Sequence, residues 1–469
     1  SAVPEERTTV HLQIVTGSYD RVLHGIHAQI PPESTQSADD DPPTRSADDD
    51  QPNSDPDQKQ HHPPQACFTN SFLSAAHASA TRCLAISPPS KGDASKRFLA
   101  TGGTDERINL YSLSTAVSSS SSAPPPNRSL GSLVHHDRAI TRLSFPTKTK
   151  LFSAAQDNVL AVTRSRDWTV LSAIKAPIPT PHGRPSGDTA APGDVPAGIN
   201  DFAVHPSQKL MLTVGRGEKC MRLWNLMTGK KAGVLAFSRD LLVAVGEPKA
   251  GTGDARRVLW SLAGDCFVVA FERAAVVFGI DSQPRALVRP SPATKLHSMT
   301  FVSLGGDAGE VLAVGTEDGR VLFFRPVVGD RAAPPVNALP ACVCVAHLGG
   351  SGAGVGGRVK DFRILDVPPT GAMVVVTGGS DGVVRVWRLR RDELALDAKG
   401  EGEESRRVGR LAGMLETGAR ITCLDAFVLQ EAKTGAKRQA GPSVADAAGD
   451  ATDGASDARS DAEPPAASE

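Results

Sequence analysis

Aromatic side chains are scarce: 15 Phe, 4 Trp and 2 Tyr make up 4% of 469 residues. Several of the repeated units described below must therefore do without a Trp of their own. A charge excess is also missing, since 51 Lys and Arg face 52 Asp and Glu for a net charge of -1. No whole-molecule field draws the chain onto nucleic acid or membrane, which leaves only local patches. No apolar run approaches the ~20 residues needed to cross a bilayer. Near the start, Glu5, Glu6 and Arg7 come without the apolar segment of a secretory signal, so an intracellular, soluble protein is expected.

The cysteines (Cys67, Cys83, Cys220, Cys266, Cys342, Cys344 and Cys423) contain no Cys-x-x-Cys pair. Cys342 and Cys344 stand two apart on a predicted strand and so share a side. We read all of these as small hydrophobes in a reducing compartment, with no metal site. HExxH, GxSxG and zinc-finger spacings are absent. Gly352 to Gly357 matches GxGxxG, but the following Arg358-Val-Lys-Asp-Phe362 has the pattern of a strand and no βαβ unit surrounds it. That segment is read as a flexible loop, and no cofactor is expected.

Glycine (44) and proline (35) are plentiful, as many turns require. The most informative stretch is Thr377-Gly-Gly-Ser-Asp-Gly-Val-Val-Arg-Val-Trp387, entered through the apolar Ala372 to Val376. It predicts two antiparallel strands joined by a tight Asp-Gly turn. With His347 upstream, the order His347, Thr377, Asp381, Trp387 resembles the polar chain that pins one WD40 blade. Weaker copies precede it. One has His77, Thr101, Asp105 and Tyr111; another has His136, Ser153 and Asp157, with Thr163 in the aromatic place. A third runs from Ile199 to Val204 and on to Trp224, with Glu218 in place of Asp. The fourth (Val258 to Ser261, Cys266 to Phe271, Ala275 to Phe278) has no marker residue, and the fifth carries Asp318, Gly319 and Phe324.

Six internal units thus lie between a hairpin (Leu12 to Thr16, Val22 to Ile26) and a lone strand, Arg420 to Val428. Together the two fragments complete a seventh unit. The prediction is an all-β, seven-bladed propeller over residues 10–429, in which Arg420 to Val428 is the innermost strand beside Leu12 to Thr16. Such closure removes raw sheet edges. Flexible insertions are expected at 31–65, 115–127 and 177–197, and a disordered tail at 430–469, from their polar, Pro-rich or Ala/Asp/Gly/Ser-rich composition.

The His, Ser/Thr and Asp markers invite a catalytic reading. The same trio recurs at the same place in several units, whereas an active site occurs once, so they are read as structural and the chain as not an enzyme. Two basic clusters, Arg385, Arg388, Arg390 and Arg391 and then Lys219, Arg222, Lys230 and Lys231, are candidate contacts for an acidic partner or RNA backbone. Without interleaved aromatics, sequence-specific RNA reading is not expected.

The segments Val15-Thr-Gly-Ser-Tyr-Asp-Arg-Val-Leu-His-Gly25, Leu133-Val-His-His136, Val204-His-Pro-Ser-Gln-Lys-Leu210 with Leu223-Trp-Asn-Leu226, Arg358-Val-Lys-Asp361 and Ala419-Arg-Ile-Thr-Cys-Leu424 are more specific. They resemble the p21-activated kinase-interacting WD-repeat family, whose fungal counterpart is the maintenance-of-killer factor. The likeness is thin in the fourth unit and absent from 31–65, 177–197 and the tail. It implies a nucleolar, non-enzymatic scaffold in assembly of the large (60S) ribosomal subunit that supports pre-rRNA processing. Its partners would be pre-60S assembly factors, including a ribosomal-protein-like one, and possible pre-rRNA backbone contacts. A signalling adaptor that restrains a p21-activated kinase is the alternative. Trp224-Asn225 and Trp387-Arg388 stand where cullin-type ligase receptors carry Trp-Asp-x-Arg, which counts against that third role.

Overall fold

Short runs of Val, Ile, Leu and Ala, broken every five to nine residues by Gly, Asp or Asn turns, form strands that hairpin back on their predecessors. The computed structural model describes residues 9–32, 65–89, 96–116, 127–178, 198–248, 251–306, 309–326, 334–367, 372–395 and 405–430. All of them lie in one unit, Ser1–Glu431. The strands make seven antiparallel sheets, numbered here from Thr81 onward, with strands a to d running from the inner edge outward.

Blade 1 is Thr81–Ile86, Lys96–Gly103, Ile108–Ser114 and Asn127–Leu133, and blade 2 is Ile140–Thr147, Lys150–Ala155, Val159–Arg164 and Val170–Lys175. Blade 3 is Ile199–Val204, Leu210–Gly215, Cys220–Asn225 and Lys230–Ala236; blade 4 is Arg257–Trp260, Cys266–Ala270, Ala275–Gly279 and Pro284–Val288. Blade 5 is Leu296–Ser303, Glu310–Thr316, Arg320–Arg325 and Val343–Gly349, with Arg406–Arg407 added parallel to its outer edge. Blade 6 is Val359–Val367, Ala372–Gly379, Val383–Arg390 and Arg410–Glu416.

Blade 7 is assembled from distant parts of the chain: Ile421–Val428, then Val10–Ser18, Val22–Ile30 and Cys67–Ala75. Ile421–Val428 pairs antiparallel with Val10–Ser18, Leu12 opposite Val428 and Thr16 opposite Leu424. This is the predicted closure. Its outer strand, Cys67–Ala75, was not foreseen, because a half-exposed polar strand (CFTNSFLSA) has no clear alternation to read. The unmarked fourth unit does form a blade, held by apolar packing such as the stacked Phe267 and Phe278 rings, 5.2 Å apart.

Each inner strand packs against that of the next blade around the full circle. Seven buried apolar clusters fill the seven spaces between neighbouring blades. The core is thus a ring of interfaces with no single centre, and no blade buries its faces without both neighbours. Most of the predicted insertions at 31–65, 115–127 and 177–197, and all but the first residue of the tail, lie outside the described residues.

Candidate functional site

Inner strands begin alike. In six blades the second residue bulges out of register with strand b: Arg82, Thr141, Asn200, His297, Lys360 and Thr422. A bulge re-aims the flanking side chains, and here it brings polar groups to the inner edge, where they reach across to the next blade. Thr422 Oγ1 donates to Thr81 O (2.5 Å), and Asn200 Nδ2 donates to Ala255 O (2.9 Å). One residue further on, Asp201 Oδ2 accepts from the Val258 amide and Asp361 Oδ2 from the Leu424 amide, both at 3.0 Å. Asp425 Oδ2 accepts from the Ile86 amide at 3.0 Å.

Guanidinium groups complete this inner ring. Asp201 lies 3.2 Å from Arg142 of blade 2 and 3.9 Å from Arg257 of blade 4, and Asp425 lies 3.3 Å from Arg363 of blade 6. Burial disfavours the Arg142 charge, but Asp201 and Asp361 outweigh it and raise its pKa above the ordinary value. Burial also lifts the Asp361 carboxyl above the usual carboxylate range, against the pull of the Leu424 amide and Arg142. These groups act as clasps between blades.

The turns between strands b and c hold the marker acids. In blade 1 His77 Nδ1 donates to Asp105 (3.0 Å), because a carboxylate only accepts, and Nε2 then accepts from the Thr101 hydroxyl (2.9 Å). In blade 2 His136 joins Asp157 (3.0 Å) and Ser153 (2.8 Å) in the same way. Burial lowers the His77 pKa, and Asp105 only partly offsets it. Burial would raise the Asp157 carboxyl, but hydrogen bonds from His136 and from the Val159 and Asp137 amides hold it below its ordinary value. Tyr111 and Thr163, in the aromatic places, join neither network among the described residues, and the Thr163 hydroxyl is buried without a partner.

Blade 6 departs from expectation. Trp387 Nε1 donates to Thr377 (3.3 Å), but His347 lies on the outer strand of blade 5, where its Nδ1 meets Ser405 Oγ at 2.9 Å. His77 and His136 each stand four residues ahead of strand a, and that place in blade 6 belongs to the buried Val355. The Asp381 carboxylate takes Arg385 instead, at 2.8 Å. Blade 3 repeats the substitution: Glu218 is held in a two-pronged pair by Arg222, four residues on, and Trp224 donates to Thr213 at 2.8 Å. In blade 5 Asp318 pairs with Arg320 (2.6 Å). Where the histidine is missing, an arginine satisfies the turn carboxylate.

This overturns part of the basic-cluster expectation. Arg385 is 7% exposed, and Arg222 keeps only 12% of its side chain in solvent, so neither is available to a partner. Arg388 donates to Pro31 O, Arg390 pairs with Asp392 (2.6 Å), and Arg391 donates to Asp366 and to Ser303 O. Lys219, Lys230 and Lys231 are exposed. They do not form one surface, however: Lys219 adjoins the start of strand c in blade 3, while Lys230 pairs opposite that strand's last residue, Asn225.

The cysteines are free thiols, and among the described residues no three His, Cys, Asp or Glu side chains form a metal-holding group. Cys342 and Cys344 pack against the same apolar cluster, although only Cys344 is on the strand, which begins at Val343. Burial pushes the Cys83 and Cys266 thiols up to about 12, far from nucleophilic reactivity. No described helix is long and apolar enough to cross a membrane.

A profile for the WD domain, G-beta repeat, matches residues 344–388, from the outer strand of blade 5 through strand c of blade 6. The chain is 25% identical over 359 residues to a Xenopus laevis protein named p21-activated protein kinase-interacting protein 1-like, covering 76% of this chain and 74% of that one. It is 25% identical to Protein MAK11 of Saccharomyces cerevisiae over 355 residues, 70% of this chain and 71% of the relative. A shorter match, 31% over 131 residues, joins 27% of this chain to 33% of Shk1 kinase-binding protein 15 of Schizosaccharomyces pombe.

Proposed function

The chain is a WD-repeat homologue of the p21-activated kinase-interacting proteins and MAK11, and from that premise we propose that it is a non-enzymatic scaffold of large-subunit ribosome assembly. In this role it binds pre-60S assembly factors in the nucleolus and supports pre-rRNA processing. The observation that carries the scaffold reading is the recurrence of one internal device. The turn carboxylates of blades 1, 2, 3, 5 and 6 are all engaged within their own blade. The polar groups that look catalytic are occupied in holding single blades in register, which supports a ring that offers surfaces and not a reaction.

The assembly role itself draws on the resemblance to the maintenance-of-killer factor. Its test is purification of the tagged chain, with the eluate probed for large-subunit pre-rRNA. Co-purifying pre-rRNA and assembly factors are expected. An RNA-free eluate containing a kinase would favour the second reading, a signalling adaptor, which rests on the printed names of the animal relatives.

A further inference from the structure

On the side of the turns between strands b and c, two successive blades set an acid against a base of the blade that follows; the same places in blades 1 to 3 hold Thr104, Gln156 and Arg216. Glu272, in the turn of blade 4, pairs with Lys295, the residue just ahead of strand a in blade 5 (2.8 Å), and with Arg256 (3.2 Å). Glu317, in the turn of blade 5, pairs with Arg358, just ahead of strand a in blade 6 (3.1 Å). The corresponding residue in the turn of blade 6 is Ser380. Its amide donates to Arg358 O (2.9 Å) just as that of Glu317 donates to Lys295 O (3.0 Å). The corresponding cation, just ahead of strand a in blade 7, is Arg420. The two pairs are therefore not followed by a third between blades 6 and 7: the base is present and the acid is not.

Arg420 is exposed, and neither it nor the half-buried Lys360 has a carboxylate partner at ion-pair distance among the described residues. Burial lowers the Lys360 pKa, and Arg358 and Arg420 beside it lower it further, with Glu317 the one opposing neighbour named above. Tyr19, 63% exposed, stands at the same place in blade 7, its amide donating to Arg420 O at 2.9 Å.

We infer that Arg420, Lys360 and Arg358 form a docking site for an acidic segment of a partner protein, whose carboxylate takes the place that Glu272 and Glu317 fill in the preceding blades. The inference names a partner class for the proposed scaffold and rests on that reading. Nucleic acid fits less well. Tyr19 is the one aromatic among the exposed large hydrophobics of the described residues, too few for base stacking along a strand. A peptide with spaced carboxylates needs no stacking platform.

The test uses the purified full chain at low salt and three labelled probes: a ten-residue peptide alternating Glu and Gly, its Gln and Gly counterpart, and a ten-nucleotide uridine RNA. The Glu peptide is expected to bind and the Gln peptide not. Arg420→Ala with Lys360→Ala should weaken binding at least tenfold, whereas Lys150→Ala with Lys209→Ala, both exposed, should leave it unchanged. Ser380→Glu supplies the missing acid from within. It should displace the peptide and raise the melting temperature, a readout that mere misfolding would reverse. Equal binding of the Gln peptide, undiminished binding to the Arg420/Lys360 variant and to the Ser380→Glu chain, or preferential capture of the RNA through Arg420 and Lys360 would overturn the inference. Because no ribosomal particle is present, the outcome is separate from whether the chain co-purifies with pre-rRNA.

Discussion

Among single residues, the turn carboxylates are the most consequential. Removing Asp381 leaves Arg385 buried and unpaired, and breaking such a pair costs about 3 kcal/mol. Asp381→Ala should therefore lower unfolding free energy by about that amount in denaturant melts. Adding Arg385→Leu should recover most of it, which a surface role for Arg385 would not produce. The histidines set a pH dependence. Burial, then neighbouring cations or His136, lowers His297 and His135 to about 4. In the unfolded chain they titrate near 6.5. Between those values the unfolded state holds more protons, so stability falls as pH drops from about 6.5 toward 4. Both side chains are partly exposed, so about 1 kcal/mol each is expected at pH 5 after solvent screening. His297→Gln should flatten the slope of melting temperature against pH.

At the level of strands, the glycines that matter are those where another chain segment comes close. A Cβ on Gly25, in strand c of blade 7, would lie 2.2 Å from the Phe72 ring of the outer strand. Gly25→Ala should cost about 1–3 kcal/mol by overpacking, and Phe72→Leu should restore part of it in thermal melts. The strand pattern itself was largely readable from sequence, because short apolar runs and Asp-Gly turns are local signals. His347 was misplaced because its order relative to Thr377 and Asp381 was right while its distance from strand a was wrong. The four-residue offset of His77 and His136 was the available corrective. Arg222 and Arg385 read as surface charge because a strand cation looks the same whether it faces solvent or a carboxylate in its own turn. An acid four residues ahead of each was the signal that distinguishes them.

For the whole molecule, closure decides stability. The strand Ile421–Val428 fully buries Ile421, Leu424 and Phe427 between blades 6, 7 and 1. At about 2 kcal/mol per large side chain, its removal costs about 6 kcal/mol, comparable to the total stability of an ordinary domain. A chain ending at Ala419 should lose its cooperative thermal transition, whereas an unchanged melting temperature would refute closure through this strand.

The sequence by itself determined the all-β class, the repeated units and their number, since each follows from hydrophobic alternation and turn chemistry within a few tens of residues. Only the tertiary structure decided which charges are free. Pairing across a turn, or from one blade to the next, depends on the pleat, the bulge at each inner strand and the angle between sheets. None of these is encoded in the order of residues along a single strand. For that reason the missing acid beside Arg420 and Lys360 became visible only once the inner strands of blades 6 and 7 were set side by side.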